Sequence, residues 1–168
     1  MKRIGIFYST TSGNTEDVAR KLRDKLGLDN DHVYNVGETA ASDLEAYDLI
    51  IFGIPTWGVG ELHEDWEGFL PELEQVNFQT RKVALYGLGD QEGNPDSFCD
   101  AMGVVYKELV KNGANIIGYW PDEGYNYDQS EAITNGKFVG LPIDEDNEPG
   151  KTPERIAQWV ELLNKEMQ

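Results

Sequence analysis

A run of mostly hydroxyl-bearing residues, Ser9-Thr10-Thr11-Ser12-Gly13-Asn14-Thr15, separates an apolar segment from a predicted helix. Free backbone N–H groups at a helix start bind anions, helped by the helix dipole, and hydroxyl side chains add further donors. The loop contains no lysine or arginine, so it is not a Walker loop, and it lacks the Gly-x-Gly-x-x-Gly dinucleotide turn. A phosphate monoester held by neutral donors fits this pattern. A Ser/Thr-rich turn with a simple helix cap is the structural alternative.

A second loop, Pro55-Thr56-Trp57-Gly58-Val59-Gly60-Glu61-Leu62, follows the continuous apolar run 48–54. A tryptophan in a glycine-rich loop at the end of a buried strand offers a flat apolar surface for a flat ligand. A partly exposed packing tryptophan is the alternative. The single cysteine, Cys99, excludes an internal disulfide, and neither His32 nor His63 stands in a metal or triad pattern. We therefore expect a structural role for Cys99.

Strand-like and helix-like segments alternate along the chain, which predicts an α/β fold with a parallel sheet covered by helices on both faces. Strands are predicted over 3–8, 32–36, 48–54, 82–88 and from 115 to 120, and helices over 15–26, 42–47, 63–73, 96–111 and from 152 onward. Ligands of such sheets bind at the carboxyl ends of the strands. The pattern breaks between 119 and about 150, which fits either an insertion that splits the fifth strand or an ordinary long loop.

The length and the charge limit the function classes. The chain has 168 residues, which predicts one domain over 1–168, and its 31 acidic against 14 basic residues give a net charge of −17. This charge argues against nucleic-acid binding and against anionic membrane surfaces, and no apolar run is long enough to span a bilayer. It favours steering toward positively charged partners, with simple solubility or salt adaptation as the alternative. The N-terminus reads as a strand rather than a signal peptide, so a cytosolic or stromal location is expected.

The three loops together closely resemble those of flavodoxins, and the resemblance covers nearly the whole chain. The pattern Ser/Thr-x-Ser/Thr-Gly-x-Thr, the Pro-Thr-Trp loop, Gly89-Asp90-Gln91 and Asn135-Gly136-Lys137-Phe138-Val139-Gly140-Leu141 carry it, and they are most similar to the long-chain members of cyanobacteria and algae. The resemblance implies a doubly wound five-stranded sheet of order 2-1-3-4-5 with an insertion in the fifth strand. It also implies a cytoplasmic, low-potential one-electron carrier that is not an enzyme.

The resemblance further implies a non-covalently bound FMN that moves between its semiquinone and hydroquinone states. The 9–15 loop would hold the phosphate, Trp57 would stack on the isoalloxazine ring, and Asp146 would lie near the ribose. The carbonyl of Gly58 would accept a hydrogen bond from flavin N5–H after one-electron reduction. Backbone groups around Gly89, Asp90 and Cys99 would contact the pyrimidine edge. The complete implied set is Ser9, Thr10, Thr11, Ser12, Gly13, Asn14, Thr15, Pro55, Thr56, Trp57, Gly58, Val59, Gly60, Leu88, Gly89, Asp90, Asn94, Ser97, Cys99 and Asp146.

One position departs from the family pattern. Asn94 stands where many members have a tyrosine that covers the outer flavin face, and asparagine cannot supply the same stacking area. Tyr125 and Tyr127 of the insertion are the candidates to replace it. The implied partners are redox proteins with basic docking faces, such as ferredoxin–NADP reductase and photosystem I or other ferredoxin-dependent enzymes, and the protein is expected to act as a monomer.

Two other functions remain as alternatives at this stage. A flavodoxin-fold NAD(P)H-dependent quinone or flavin reductase would need a nicotinamide site, and no nicotinamide-binding motif is evident. A response regulator would need an acidic cluster after the first strand and a phosphoacceptor aspartate after the third. The first loop is instead rich in Ser and Thr, and the third strand ends in Pro-Thr-Trp.

Overall fold

A computed structural model describes residues 2–9 and 12–168, and its centre is a parallel β-sheet. The strands are β1 Ile4–Tyr8, β2 Val33–Asn35, β3 Leu49–Trp57, β4 Glu61–Leu62, β5 Lys82–Leu88, β6 Asn115–Ile117, β7 Trp120–Pro121, β8 Ile133–Thr134, β9 Lys137–Phe138 and β10 Leu141–Ile143. The helices are α1 Asn14–Leu26, α2 Glu64–Phe69, α3 Asp100–Lys111 and α4 Thr152–Glu166, with 3-10 turns at Asn30–His32, Val36–Glu38, Ala41–Ala46, Leu70–Gln75 and Pro149–Lys151.

The strand order confirms the predicted 2-1-3-4-5 topology. The long strands run β2-β1-β3-β5, and both β6 and β10 pair in parallel with the far side of β5. β6 pairs with residues 82–84 and β10 with residues 86–88, so the two short strands together form one fifth strand. The chain between them forms a separate antiparallel sheet of order β7-β9-β8. An insertion therefore splits the fifth strand, as the family resemblance predicts.

The insertion leaves the main sheet at Gly118, and the geometry there requires glycine. Gly118 has φ +79, and a Cβ would lie 2.9 Å from the Trp159 indole nitrogen and from Leu163. The Trp159 indole N–H donates to the Gly118 carbonyl at 2.9 Å, and the Gly118 N–H donates to Glu166 at 2.8 Å. Because no side chain stands at this position, α4 can pack directly against the exit of the chain.

Helices cover both faces of the sheet, because successive side chains of a strand point to opposite faces. Phe7 lies in one apolar core together with Trp66 of α2 and Met102 of α3. The neighbouring Ile6 lies in the other core, with Leu22 of α1 and Trp159 of α4. Among the described residues, no helix is long and apolar enough to cross a membrane.

Two predicted helices are shorter than their sequence patterns suggest. The segment 63–73 is helical only over Glu64–Phe69 and then tightens into a 3-10 turn at Leu70–Gln75, where Pro71 lacks the N–H that would continue the α-helix. The helix predicted from residue 96 begins at Asp100 instead. The Phe98 N–H donates to the Gln129 carbonyl of the insertion at 3.2 Å, which holds the chain before α3 in an irregular turn.

Candidate functional site

A cleft of about 330 Å³ lies at the carboxyl ends of β1, β3, β5 and β10. Its lining comes from the ends of these strands and the segments that follow them: Ser12, Asn14, Thr15, Pro55, Thr56, Trp57, Gly58, Leu88, Gly89, Asp90, Asn94, Ser97, Glu145 and Asp146. Parallel strands present their carboxyl ends at one edge, so residues distant in sequence meet there. The sheet thus brings together three loops that the sequence marks separately.

The first wall is the start of α1. Gly13 occupies the N-cap position with φ +93, and the Asp17 N–H donates to its carbonyl at 2.9 Å. The side chain of Ser9 is buried, and its Oγ has no hydrogen-bond partner in the described part of the chain. Thr10 and Thr11, which the resemblance assigns to a phosphate site, lie outside the described residues.

The second wall is a tight hairpin between β3 and β4. Trp57 pairs with Glu61 across a three-residue turn, in which Gly58 has φ +46 and Gly60 has φ +80. The Trp57 side chain is 48% exposed at the rim, and its ring centroid lies 6.2 Å from that of His63 at an interplanar angle of 30°. Val59, at the tip of the turn, is 76% exposed and does not line the cleft. The hairpin therefore presents the indole and Gly58, rather than the tip of the turn, to the cleft.

The third wall is the loop after β5. Asp90 accepts hydrogen bonds from the Gly93 N–H at 2.7 Å and from the Asn147 amide at 2.8 Å, and these bonds lower the pKa of its carboxyl. Gly89 lies against Cys99, where a Cβ would come within 2.9 Å of the Cys99 backbone nitrogen. Cys99 itself is fully buried, and burial raises the pKa of its thiol well above the usual range. The thiol therefore stays protonated, as expected of a structural cysteine.

The fourth wall follows β10 and is acidic. Burial raises the pKa of Asp146, and the neighbouring carboxylates of Asp90, Asp144 and Glu145 raise it further. One oxygen each of Asp90, Asp144 and Asp146 lie within 4.8 Å of one another. Glu145 also lines the cleft, with a buried carboxylate oxygen that has no partner among the residues described. Glu145 is absent from the residues implied by the resemblance, and only its position beside Asp146 could have pointed to it.

Most residues of the implied set meet at the cleft. Among the described residues of the set, those outside the lining are Ser9 and Gly13 before α1, Val59 and Gly60 in the hairpin turn, and Cys99 behind the third loop. Gly60 packs instead against Ser97 and Asp100, and a Cβ there would lie 2.8 Å from a carboxylate oxygen of Asp100. Gly13 and Val59 are adjacent to lining residues, and Gly60 and Cys99 lie against lining residues of the third loop.

The expectation that Tyr125 or Tyr127 replaces the tyrosine missing at position 94 is wrong. Tyr125 donates its hydroxyl hydrogen to the Pro142 carbonyl at 2.7 Å, and Tyr127 stacks on Phe98 with ring centroids 5.3 Å apart. Neither ring lines the cleft. Both pack against the apolar core around Phe98 and Phe138, which draws the rings inward. Asn94 therefore stands in the cleft without an aromatic substitute from the insertion.

The donors in the walls fit a small polar ligand with an anionic group. Buried hydroxyls normally have a hydrogen-bond partner, because an unsatisfied one costs free energy. Ser9 Oγ, Thr56 Oγ1 and Ser97 Oγ are buried without a partner in the described residues, and each follows or ends a different strand at this edge. A phosphate and the polar edge of a flat ring would satisfy such groups, while Trp57 offers the stacking surface.

A doubly wound α/β fold with this cleft at the switch point defines a mononucleotide-binding type of protein. The flavodoxin family model matches residues 6–159. The chain is 47% identical to a flavodoxin of Synechococcus elongatus over 167 residues, covering 99% of this chain and 98% of that protein. It is 42% identical to flavodoxin 1 of Escherichia coli over 164 residues, covering 97% and 93% of the two chains.

A solved structure agrees with these relatives. The crystal structure of Fusobacterium nucleatum flavodoxin bound to flavin mononucleotide has a TM-score of 0.92 and 35% sequence identity, and the match covers 100% of both chains. The chain belongs to the flavodoxin family, which confirms the resemblance found in its sequence. Flavodoxins are electron-transfer proteins rather than enzymes, so the reductase and response-regulator alternatives fall away.

Proposed function

We propose that this protein binds one FMN non-covalently in the cleft and carries single electrons at low potential between redox proteins. The observation that carries this proposal is that Thr56 and Ser97, whose buried hydroxyls have no partner among the described residues, line the cleft together with the half-exposed Trp57. FMN supplies the one-electron chemistry when it is bound. The protein supplies binding, orientation and the electrostatic surroundings.

In this proposal the 9–15 loop holds the phosphate. The N–H groups at the start of α1 and the cleft-lining residues Ser12 and Thr15 face the anion, and the loop has no lysine or arginine to neutralise it. Trp57 stacks on the ring and shields it from water, while the loop after β5 contacts its polar edge. The carboxylates of Asp90, Glu145 and Asp146 make the surroundings of the ring negative and disfavour added negative charge, which lowers the reduction potential.

Binding of two flavins tests the assignment of the phosphate loop. We expect the apoprotein to bind FMN at least about tenfold more tightly than riboflavin, which has the same ring but no phosphate. Flavin fluorescence is read while apoprotein is added. Equal affinities for FMN and riboflavin would show that the 9–15 loop does not bind the phosphate. Failure to bind either flavin would refute the proposed cofactor.

The partners we propose are redox proteins with basic docking faces, such as ferredoxin–NADP reductase and photosystem I or other ferredoxin-dependent enzymes. The net charge of −17 and the carboxylates of Glu61, Glu64 and Glu67 beside Trp57 support this choice. The same charge opposes self-association, so the proposed carrier is a monomer. A cytoplasmic location suits the buried, reduced thiol of Cys99.

Ionic strength tests the docking proposal. The rate of electron transfer to a basic partner should fall steeply between low and physiological salt, because steering between opposite charges is screened. Stopped-flow mixing with ferredoxin–NADP reductase measures this rate. A rate independent of salt would contradict docking through the acidic rim.

A further inference from the structure

Asp144 is a buried carboxylate at the carboxyl end of β10. It is 0% exposed, and no ion pair of the described residues includes it. Four N–H donors surround it instead. Oδ1 accepts from the backbone N–H groups of Asp146 at 3.1 Å and Asn147 at 3.0 Å, while Oδ2 accepts from the Gln91 N–H at 3.1 Å and the Asn147 amide at 2.8 Å.

These bonds join two walls of the cleft that are far apart in sequence. Gln91 belongs to the loop after β5, and Asp146 belongs to the segment after β10. The Asn147 amide also donates to Asp90 at 2.8 Å, which adds a second link between the same two walls. Asp90 and Asp146 both line the cleft, although Asp144 does not. Asp144 thus bridges the two walls from behind the cleft.

The geometry of the site favours an aspartate of this length. A buried carboxylate loses its hydration, and only good hydrogen bonds to both oxygens offset that cost. An asparagine would turn an NH2 group toward at least one N–H donor, and a glutamate would place its carboxylate one methylene further out. Because all four bonds use carboxylate oxygens, we interpret the three neighbouring carboxylates here as a hydrogen-bonded junction rather than a cation site.

We propose that Asp144 is a positioning residue for the flavin site: it fixes the distance between the wall after β5 and the wall after β10, and thereby sets the affinity for the flavin ring. This inference rests on the proposed binding of FMN in the cleft. Asp144 does not touch the cleft, so its effect on the flavin passes through Gln91, Asp146 and Asn147. If Asp144 only capped the turn after β10, it would contribute to the free energy of unfolding and not to flavin affinity.

The test compares Asp144→Asn and Asp144→Glu with Asp96→Asn, which removes an exposed carboxylate from the loop after β5. Affinities for FMN and riboflavin are measured on apoprotein that circular dichroism shows to be folded, so a loss of stability alone does not change them. We expect both Asp144 variants to weaken both flavins by the same factor, about tenfold or more. Asp96→Asn should stay within about twofold of the wild type.

Two results would overturn the inference. Wild-type affinity in folded Asp144→Glu would show that the spacing of the walls does not depend on this side chain. A loss of affinity for FMN but not for riboflavin would show that Asp144 affects the phosphate site rather than the ring site.

If the Asp144 variants do not fold, Asn147→Ala decides the matter. This variant removes the side-chain bonds to Asp90 and Asp144, while three bonds to Asp144 remain. That variant should weaken both flavins equally, and unchanged affinities would refute the proposal. Failure of the wild type to bind FMN would instead refute the proposed function.

Discussion

Replacing Trp57 by alanine removes the only strongly exposed aromatic surface that lines the cleft in the described residues. The side chain is 48% exposed. A ligand stacked on one face would cover about half of that area, roughly 60 Å² for a large aromatic, which corresponds to about 1.5 kcal/mol. Stacking adds about 0.5–1.5 kcal/mol. We therefore expect Trp57→Ala to weaken FMN binding by about 2–3 kcal/mol, or about 30- to 150-fold.

Flavin fluorescence titration of the apoproteins measures this loss. Trp57→Phe keeps an aromatic face and should lose less than about tenfold. Val59→Ala is the matched control, because Val59 lies two residues away and is more exposed but does not line the cleft. Its affinity should match that of the wild type. The stacking argument is refuted if Trp57→Ala and Val59→Ala bind FMN equally well.

Three further changes probe the turn, the acidic network and the departure at position 94. Gly58→Ala places a Cβ at φ +46, which costs roughly 1–2 kcal/mol. Strain of this size should shift a one-electron potential by up to about 90 mV and so change the gap between the two potentials. Gly113→Ala, at φ +82 and remote from the cleft, should strain the chain without changing the gap. Glu148→Gln should lower the free energy of unfolding by about 3 kcal/mol at pH 7 and by progressively less as pH falls from 4.5 toward 2. Asn94→Tyr should tighten FMN binding by about two- to tenfold, through stacking worth about 0.5–1.5 kcal/mol.

The sign of the Glu148 prediction follows from its surroundings. Burial raises the pKa of this carboxyl, but hydrogen bonds from Lys151, Gln91 and Arg155, together with the Arg155 charge, outweigh burial and bring the pKa to about 2. A pKa below the unfolded value of 4.5 stabilises the folded state above pH 4.5, and this stabilisation is lost as pH falls through the folded pKa. Urea unfolding between pH 7 and 3 measures it. A constant difference between variant and wild type across this range would contradict the argument.

The other two predictions have equally direct contradictions. Anaerobic spectroelectrochemistry measures the gap between the two one-electron potentials. If Gly58→Ala and the wild type have the same gap, Gly58 does not influence the potentials. Unchanged or weaker FMN binding by Asn94→Tyr would show that this position does not cover the ring.

The alternating pattern predicted the parallel sheet, whereas the strand order and the split fifth strand followed from the family resemblance, because the pattern alone also fitted an ordinary long loop. Apolar runs mark the long strands, and strand-like fragments at 115–120 and 138–141 flank a turn-rich, acidic segment. The pairing of β6 and β10 with different halves of β5 has no local signal, since it depends on contacts between distant segments. The start of α3 was misplaced for the same reason, because the Gln129 carbonyl of the insertion binds the Phe98 N–H.

Residue type alone also misled the prediction of the site. Tyr125 and Tyr127 have the right chemistry for stacking on a ligand, but Phe98 and Phe138 bind their rings in the core instead. Asp144 and Glu145 look like surface carboxylates in the sequence, and only the structure shows one to be fully buried and the other to line the cleft. Hydroxyls and glycines in short loops could be recognised, whereas burial set by tertiary contacts could not.

The measurement that most directly tests the central claim is the visible spectrum of the FMN-loaded protein during stepwise anaerobic reduction. A one-electron carrier at low potential predicts two separated steps, each consuming one electron, with the second at the lower potential. A single two-electron bleaching step, with no separated potentials, would contradict the account.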